Sequence, residues 1–250
     1  MQKLKQEAAA NLAALARNPY PGRVIIIGLD QKGENLVQVY AIMGRSENSR
    51  NRVFGYEGGR VFTEAANPAK MKDPRLVIYN AMREVLVPGM DSTMNVVSNG
   101  DQTDKVADGY KEDKSFQATL SQCKYEPDAP NFTPRITASS YWLRSGKPVG
   151  LMSLLRKSPW SDECDRHLHE INGFGQGFGH CLTTYLGDGD PLPAYRGEPR
   201  LMPLLGDLDW IADMYWEMLD PGNRVSLAVK FIPRLGLSST VIRNQYSKVA

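Results

Sequence analysis

At 250 residues, with 42% hydrophobic and 23% charged residues, the chain has the composition of a soluble globular protein and ample length for a sizeable core. Its 30 basic residues stand against 28 acidic ones, and a net charge of +2 lacks the basic excess of a general nucleic-acid or anionic-membrane binder. Three widely separated cysteines, Cys123, Cys164 and Cys181, form neither a disulfide framework nor a CxxC zinc pattern, which fits a reducing, cytoplasmic setting.

Near the start, Lys3 and Lys5 precede an alanine-rich run, but Glu7 and Asn11 interrupt it, so it lacks the apolar centre of an export signal. Leu4, Ala8, Leu12 and Leu15 share one face of a helix predicted over Leu4 to Arg17, and Pro19 with Pro21 ends it. Val24 to Ile27 is far too short to span a bilayer and reads, within Arg23 to Gly28, as a buried strand. A turn at Asp30 to Gly33 leads to an alternating strand, Val37 to Met43, and the pair reads as a hairpin.

Further strands are expected over Arg60 to Thr63, Arg75 to Tyr79, Met94 to Val97, Arg135 to Trp142, Pro148 to Leu155, His180 to Leu186 and Arg224 to Ile232. Thr103 to Cys123 mixes charge and apolar residues at helical spacing, with Gly109 as a possible divider. Leu208 to Leu219 is an aromatic-rich amphipathic helix stopped by Pro221 and Gly222. Residues 187–206 read as a long ordered loop. Many short strands with few helices point to an α+β fold with largely antiparallel sheets in a single domain.

The stretch of greatest chemical interest is Gly44 to Arg52. Arg45, Arg50 and Arg52 alternate there with Ser46, Ser49, Asn48 and Asn51. Arginine presents a planar fork that matches phosphate or carboxylate oxygens, so this reads as an anion-binding loop hung from a strand end; a solvated basic turn is the plainer alternative. His167 and His169 would share one face of a strand, but no HExxH pattern or carboxylate spacing completes a metal site. The glycine run 173–179 fits neither nucleotide-loop template and suits a close-packed turn or a flap.

Read in order, the short motifs form a pattern. Tyr20 to Arg23, Gly44-Arg45-Ser46 with Arg50, Ile78-Tyr79-Asn80, Val97 to Gly100 with Thr103-Asp104, Tyr125-Glu126 and Thr133 to Ile136 resemble the archaeal-type IMP cyclohydrolase family over roughly residues 20–155. Residues beyond about 180 resemble the longer bacterial members. The resemblance implies a single domain over 1–250, with residues 1–18 as a helical extension and about 180–250 as a C-terminal elaboration. It also implies a four-layer αββα sandwich like that of the N-terminal-nucleophile hydrolases.

The activity it implies is an enzymatic step of purine biosynthesis: 5-formamidoimidazole-4-carboxamide ribotide loses water to give inosine monophosphate (IMP). That reaction requires no metal or redox cofactor. By match to the family, Arg50, Tyr79 and Glu126 stand at the reacting centre. Tyr79 donates to the formyl oxygen, Arg50 stabilises negative charge, and Glu126 orients the carboxamide or accepts its proton. Arg23, Arg45 and Ser46 are expected on the 5′-phosphate, and Asn99, Gly100, Thr133 and Arg135 on the base or ribose. The expected partners are the purine ribotide, IMP and further copies of the chain, without nucleic acid or membrane. The alternatives are a non-catalytic purine-nucleotide-binding or regulatory protein of the same fold, and an RNA-contacting protein.

Overall fold

The computed structural model describes residues 1–74, 77–87 and 93–248. Thirteen strands build two sheets, and every pairing between named strands is antiparallel. The first sheet is founded on the expected hairpin, β1 (Arg23–Leu29) with β2 (Asn35–Met43). It adds β10 (Phe178–Thr183), β11 (Arg200–Pro203), β12 (Arg224–Pro233) and β13 (Ser239–Asn244) in the order β11-β10-β1-β2-β12-β13. The second sheet runs β3-β4-β5-β6-β7-β8-β9 in chain order. Its strands are β3 (Arg52–Glu57), β4 (Arg60–Ala65), β5 (Asn80–Leu86), β6 (Thr93–Ser98), β7 (Arg135–Trp142), β8 (Pro148–Lys157) and β9 (Cys164–Ile171).

Strand alternation sorts side chains into layers. On β1, Val24 and Ile26 join a core shared with two helices, whereas Ile25 and Ile27 join a core between the sheets. On β2, Val37, Val39, Ala41 and Met43 face the helices, and Tyr40 and Ile42 face the other sheet. The helices on the first sheet are α1 (Gln2–Ala16), packed on β11, and α5 (Leu208–Met218), packed on β12 and β13. On the outer side of the second sheet, α3 (Gln102–Lys111) and α4 (Phe116–Leu120) bury Val106, Tyr110, Phe116 and Leu120 against Met94, Val96 and Leu155. Helices therefore cover the outer faces of two stacked antiparallel sheets. Among the described residues, no helix is long and apolar enough to cross a membrane.

Several expectations need correction. The break in the 103–123 region falls at Asp113, whose φ is 59°, and not at Gly109. Gly109 lies inside α3 because a Cβ there would sit 2.4 Å from Thr119 Oγ1 of α4, so it is the point of closest approach between the two helices. The strand expected over Arg75 to Tyr79 begins only at Asn80. Arg75 and Leu76 lie outside the described residues, and Val77 and Tyr79 instead bond through their carbonyls to Thr63 Oγ1. The loop expected over 187–206 contains β11, and the strand expected over His180 to Leu186 is Phe178–Thr183. The glycine run packs against the end of β1, where Gly177 N donates to Leu29 O and Asp30 O, and Gly150 leaves room for the Phe174 ring.

Candidate functional site

The arginine loop is shorter and more ordered than a flexible anion trap. Ser46 caps α2 (Glu47–Arg50): its Oγ accepts from Ser49 N at 3.1 Å, and Ser49 Oγ accepts from Ser46 N in return. The Ser46 hydroxyl proton stays available. Arg45 ion-pairs with Asp188 at 2.5 Å, donates to Gly189 O, and lies 5.1 Å over the Tyr20 ring. Arg50 donates from Nε to Gly44 O at 2.9 Å and from Nη2 to Asn223 Oδ1 at 3.2 Å, and it lines a groove with Lys70 and Tyr246. Tyr79 lines a different cleft. Arg50 and Tyr79 thus line different openings, whereas the family resemblance sets both at the reacting centre.

Arg52 turns the other way. Asn51 ends α2, and Arg52 is the first residue of β3, sharing its inward face with Phe54 of the inter-sheet core. The side chain is fully buried, with Nε donating to Ser49 O at 2.8 Å, while among the described residues neither Nη atom has a hydrogen-bond partner. Tyr40 of β2 enters the same space, and its hydroxyl is 2.6 Å from that of Tyr79. Arg23, the first residue of β1 and 7% exposed, adds a second guanidinium with an unpartnered Nε. Burial opposes the charge of Arg23, but Tyr20, Tyr79, Glu126 and Tyr40 outweigh it and raise its pKa. Burial and then the charge of Arg23 lower that of Arg52. Tyr40 is pushed well above the ordinary tyrosine value by burial and by Tyr79.

Glu126, 3% exposed, completes this centre. Its Oε1 lies 2.7 Å from Arg135 Nη1, an ion pair whose alignment leaves that oxygen without a good hydrogen bond. Burial pushes its carboxyl above the usual range, against the pull of Arg135, Arg23 and Arg52 and with help from Asp128. Three buried guanidiniums therefore face one buried carboxylate. A surplus of buried cations with free N–H groups is costly unless an anion joins it, so the centre is built to receive one.

The other expected residues frame this centre. Asn99 bridges to β7: its Nδ2 donates to Pro134 O and its Oδ1 accepts from Ile136 N, so the side chain holds strand register. Arg135 Nη1 donates to Asn99 O, and the guanidinium lies flat on Gly100, where a Cβ would stand 2.0 Å from Nη1. Thr133 Oγ1 lies 2.5 Å from both Asp128 Oδ2 and the Tyr185 hydroxyl, and Tyr185 stacks on Tyr20. A cleft of about 330 Å³ leads to the centre, lined by Tyr79, Gly100, Gln102, Lys105, Lys124 and Arg135.

Arg52 and Tyr20 stand in the sequence motifs without a role assigned to either, and Tyr40 and Tyr185 are not singled out there. The inward parity of Tyr40 with Ile42, and of Arg52 with Phe54, was the available signal; nothing local marks Tyr20 and Tyr185 as neighbours. The histidines lie elsewhere: His169 Nδ1 is 3.2 Å from Glu198 Oε2, and His167 Nε2 accepts from Arg156 at 3.3 Å. Among the described residues, no group of three or more metal-ligating side chains gathers.

No curated protein matches the chain. A family model described as IMP cyclohydrolase-like protein matches residues 20–235, and the chain belongs to that family.

Proposed function

We propose that the protein closes a purine ring, converting 5-formamidoimidazole-4-carboxamide ribotide to IMP with loss of water. The observation that carries this reading is the buried pair Arg23 and Arg52, with unpartnered N–H groups, set beside the Tyr40–Tyr79 hydroxyl pair and the Glu126–Arg135 ion pair.

The chemistry asks for such an arrangement. The carboxamide nitrogen attacks the formyl carbon, forming the new C–N bond. The carboxamide nitrogen gives up one proton and the formamido nitrogen a second; as the formamido nitrogen forms its double bond to the former formyl carbon, the C–O bond breaks and the oxygen, carrying both protons, leaves as water. Holding a poor nucleophile against the carbonyl supplies much of the rate. Tyr79 donates to the formyl oxygen, with Tyr40 behind it. Arg52 takes the charge-stabilising role that the family resemblance suggests for Arg50, because of the loop's three arginines it is Arg52 that enters the buried space of Tyr40, beside Arg23. Glu126, its carboxyl raised by burial, orients the carboxamide or accepts its proton. Arg45, the Ser46 hydroxyl and Arg23 receive the 5′-phosphate, with Arg45 exchanging Asp188 for it. Gly100 and Arg135 meet the base or ribose, while Asn99 and Thr133 hold those groups in place.

Ring closure changes the ultraviolet spectrum, so purified protein mixed with the formamido ribotide gives a direct test. A spectral change at catalytic protein concentration is expected. IMP binding without any such change would favour a non-catalytic purine-nucleotide binder. Tyr79→Phe is expected to lower turnover by about 10²–10⁴ with little change in KM; equal turnover in that variant would remove Tyr79 from its role.

A further inference from the structure

Beside α2 lies a groove of about 470 Å³ that shares no lining residue with the cleft leading to Tyr79. Its walls carry Arg50 and Lys70, the amides of Asn51 and Asn67, the ring of Tyr246 and the carboxylate of Glu47. We propose that this groove is a second, separate binding site that takes a nucleoside monophosphate, with the phosphate between Arg50 and Lys70 and the base on Tyr246.

Charge is the first argument. Arg50 uses Nε and one N–H of Nη2 on Gly44 O and Asn223 Oδ1, neither of them a carboxylate, so among the described residues Nη1 is left for a bidentate oxyanion contact. Lys70 has no carboxylate partner among the described residues. Glu47, the acidic group of the groove, already pairs with Lys72 at 3.2 Å. The groove is therefore cationic where it is free to bind.

Pre-organisation is the second. Asn51 is buried and locks the opposite wall with two hydrogen bonds: Nδ2 to Asn67 O at 2.8 Å, and Asn67 N to its Oδ1 at 2.7 Å. Asn67 then caps the single 3₁₀ turn Pro68–Lys70 by accepting from Ala69 N. The Lys70 backbone is thus fixed relative to Arg50 before any ligand arrives, which lowers the ordering cost of binding.

Size and shape are the third. Inorganic phosphate alone would fill only part of the volume, whereas small-ligand sites of roughly 300–1,000 Å³ hold molecules of nucleotide size. Tyr246, 38% exposed, presents a ring for stacking, and the Glu47 carboxylate offers an acceptor for base or ribose donors. The site also adjoins the reacting centre through one link: α2 carries Arg50 into the groove, and its Ser49 carbonyl holds Arg52 Nε.

Calorimetric titration of the full chain with AMP, and with adenosine as the phosphate-free control, tests this. Wild-type protein is expected to show a class of AMP sites that Lys70→Ala and Tyr246→Ala each weaken about tenfold or more, with adenosine failing to bind there. Without AMP, both variants should keep wild-type ring-closure kinetics. Two variants that titrate like wild type, or a single class of AMP sites abolished by Arg52→Met, would overturn the proposal. Because the titration reads binding alone, it decides the matter even if the ring-closure assay of the wild type is blank.

Discussion

Two fully buried cations face the space between the sheets, and their surroundings could hardly differ more. Lys230 of β12, 1% exposed, places Nζ 2.7 Å from Glu84 Oε1 and 3.0 Å from Gly59 O. It ties the first sheet to β5 and to the β3–β4 turn, and Ser238 Oγ bonds the same carboxylate. Among the described residues Arg52 has one bond, to the Ser49 carbonyl, and its two Nη atoms have none. Burial lowers the pKa of both. A buried charge that has its partner is part of the structure; one that lacks it is held in readiness for a ligand. That contrast, more than the number of arginines, separates framework from site.

The contrast can be tested from both sides. The largest effect short of removing a reacting group is expected from Gly100→Ala, whose Cβ must displace the Arg135 guanidinium from its seat and so disturb Glu126. Ring-closure rate should fall about 10²-fold, on the order of 2.7 kcal/mol of transition-state stabilisation, and a kinetically normal variant would detach the Arg135–Glu126 pair from the chemistry. Next comes Lys230→Met, which leaves Glu84 without its cation. A loss of about 1–3 kcal/mol in urea unfolding, with kcat per folded molecule unchanged, would mark the pair as framework.

The smallest effect is a pH slope. Burial, and then neighbouring His169, hold His180 below its ordinary pKa of 6.5. Between the folded value and 6.5 the unfolded chain binds more protons, so His180 contributes stability that is fully present above 6.5 and is lost as pH falls through the folded value. The groups around it are His169, itself beside Glu198, and the Phe174 ring. Melting temperature measured across that range should show a shallower acid-side decline in His180→Asn than in wild type.

Much of the fold was readable before any coordinates. The apolar runs of β1 and β2, the alternation of β12 and the stop signals around α1 and α5 state their structure locally. The strands missed were β3, β9, β11 and β13, and β5 was expected over the residues that precede it. Three of them, β9, β11 and β13, carry polar or half-exposed faces at the sheet edges or beside them, where burial no longer imposes a clean pattern. β3 is obscured by the polar loop that leads into it.

The site was less legible. Tyr79, Gly100 and Arg135 line one cleft, and Glu126 pairs with Arg135 behind it. The arginines of the loop were not distinguishable by composition, because what assigns them is a change of conformation at Asn51, where a short helix ends and a strand begins. Arg50 falls on the helical side and points to the groove; Arg52 falls on the strand side and points inward. Tyr20, stacked on Tyr185 from 165 residues away, is a purely tertiary neighbour.

On the proposed function, Arg52 is kept buried and unpartnered for the reaction. Measuring ring-closure turnover and thermal stability together in Arg52→Met tests it most directly. The expected result is a folded variant whose melting temperature equals or exceeds that of wild type, since an uncompensated buried charge is gone, and whose turnover falls by about 10² or more. A variant that turns over at the wild-type rate, or one that loses stability as Lys230→Met does, would contradict it.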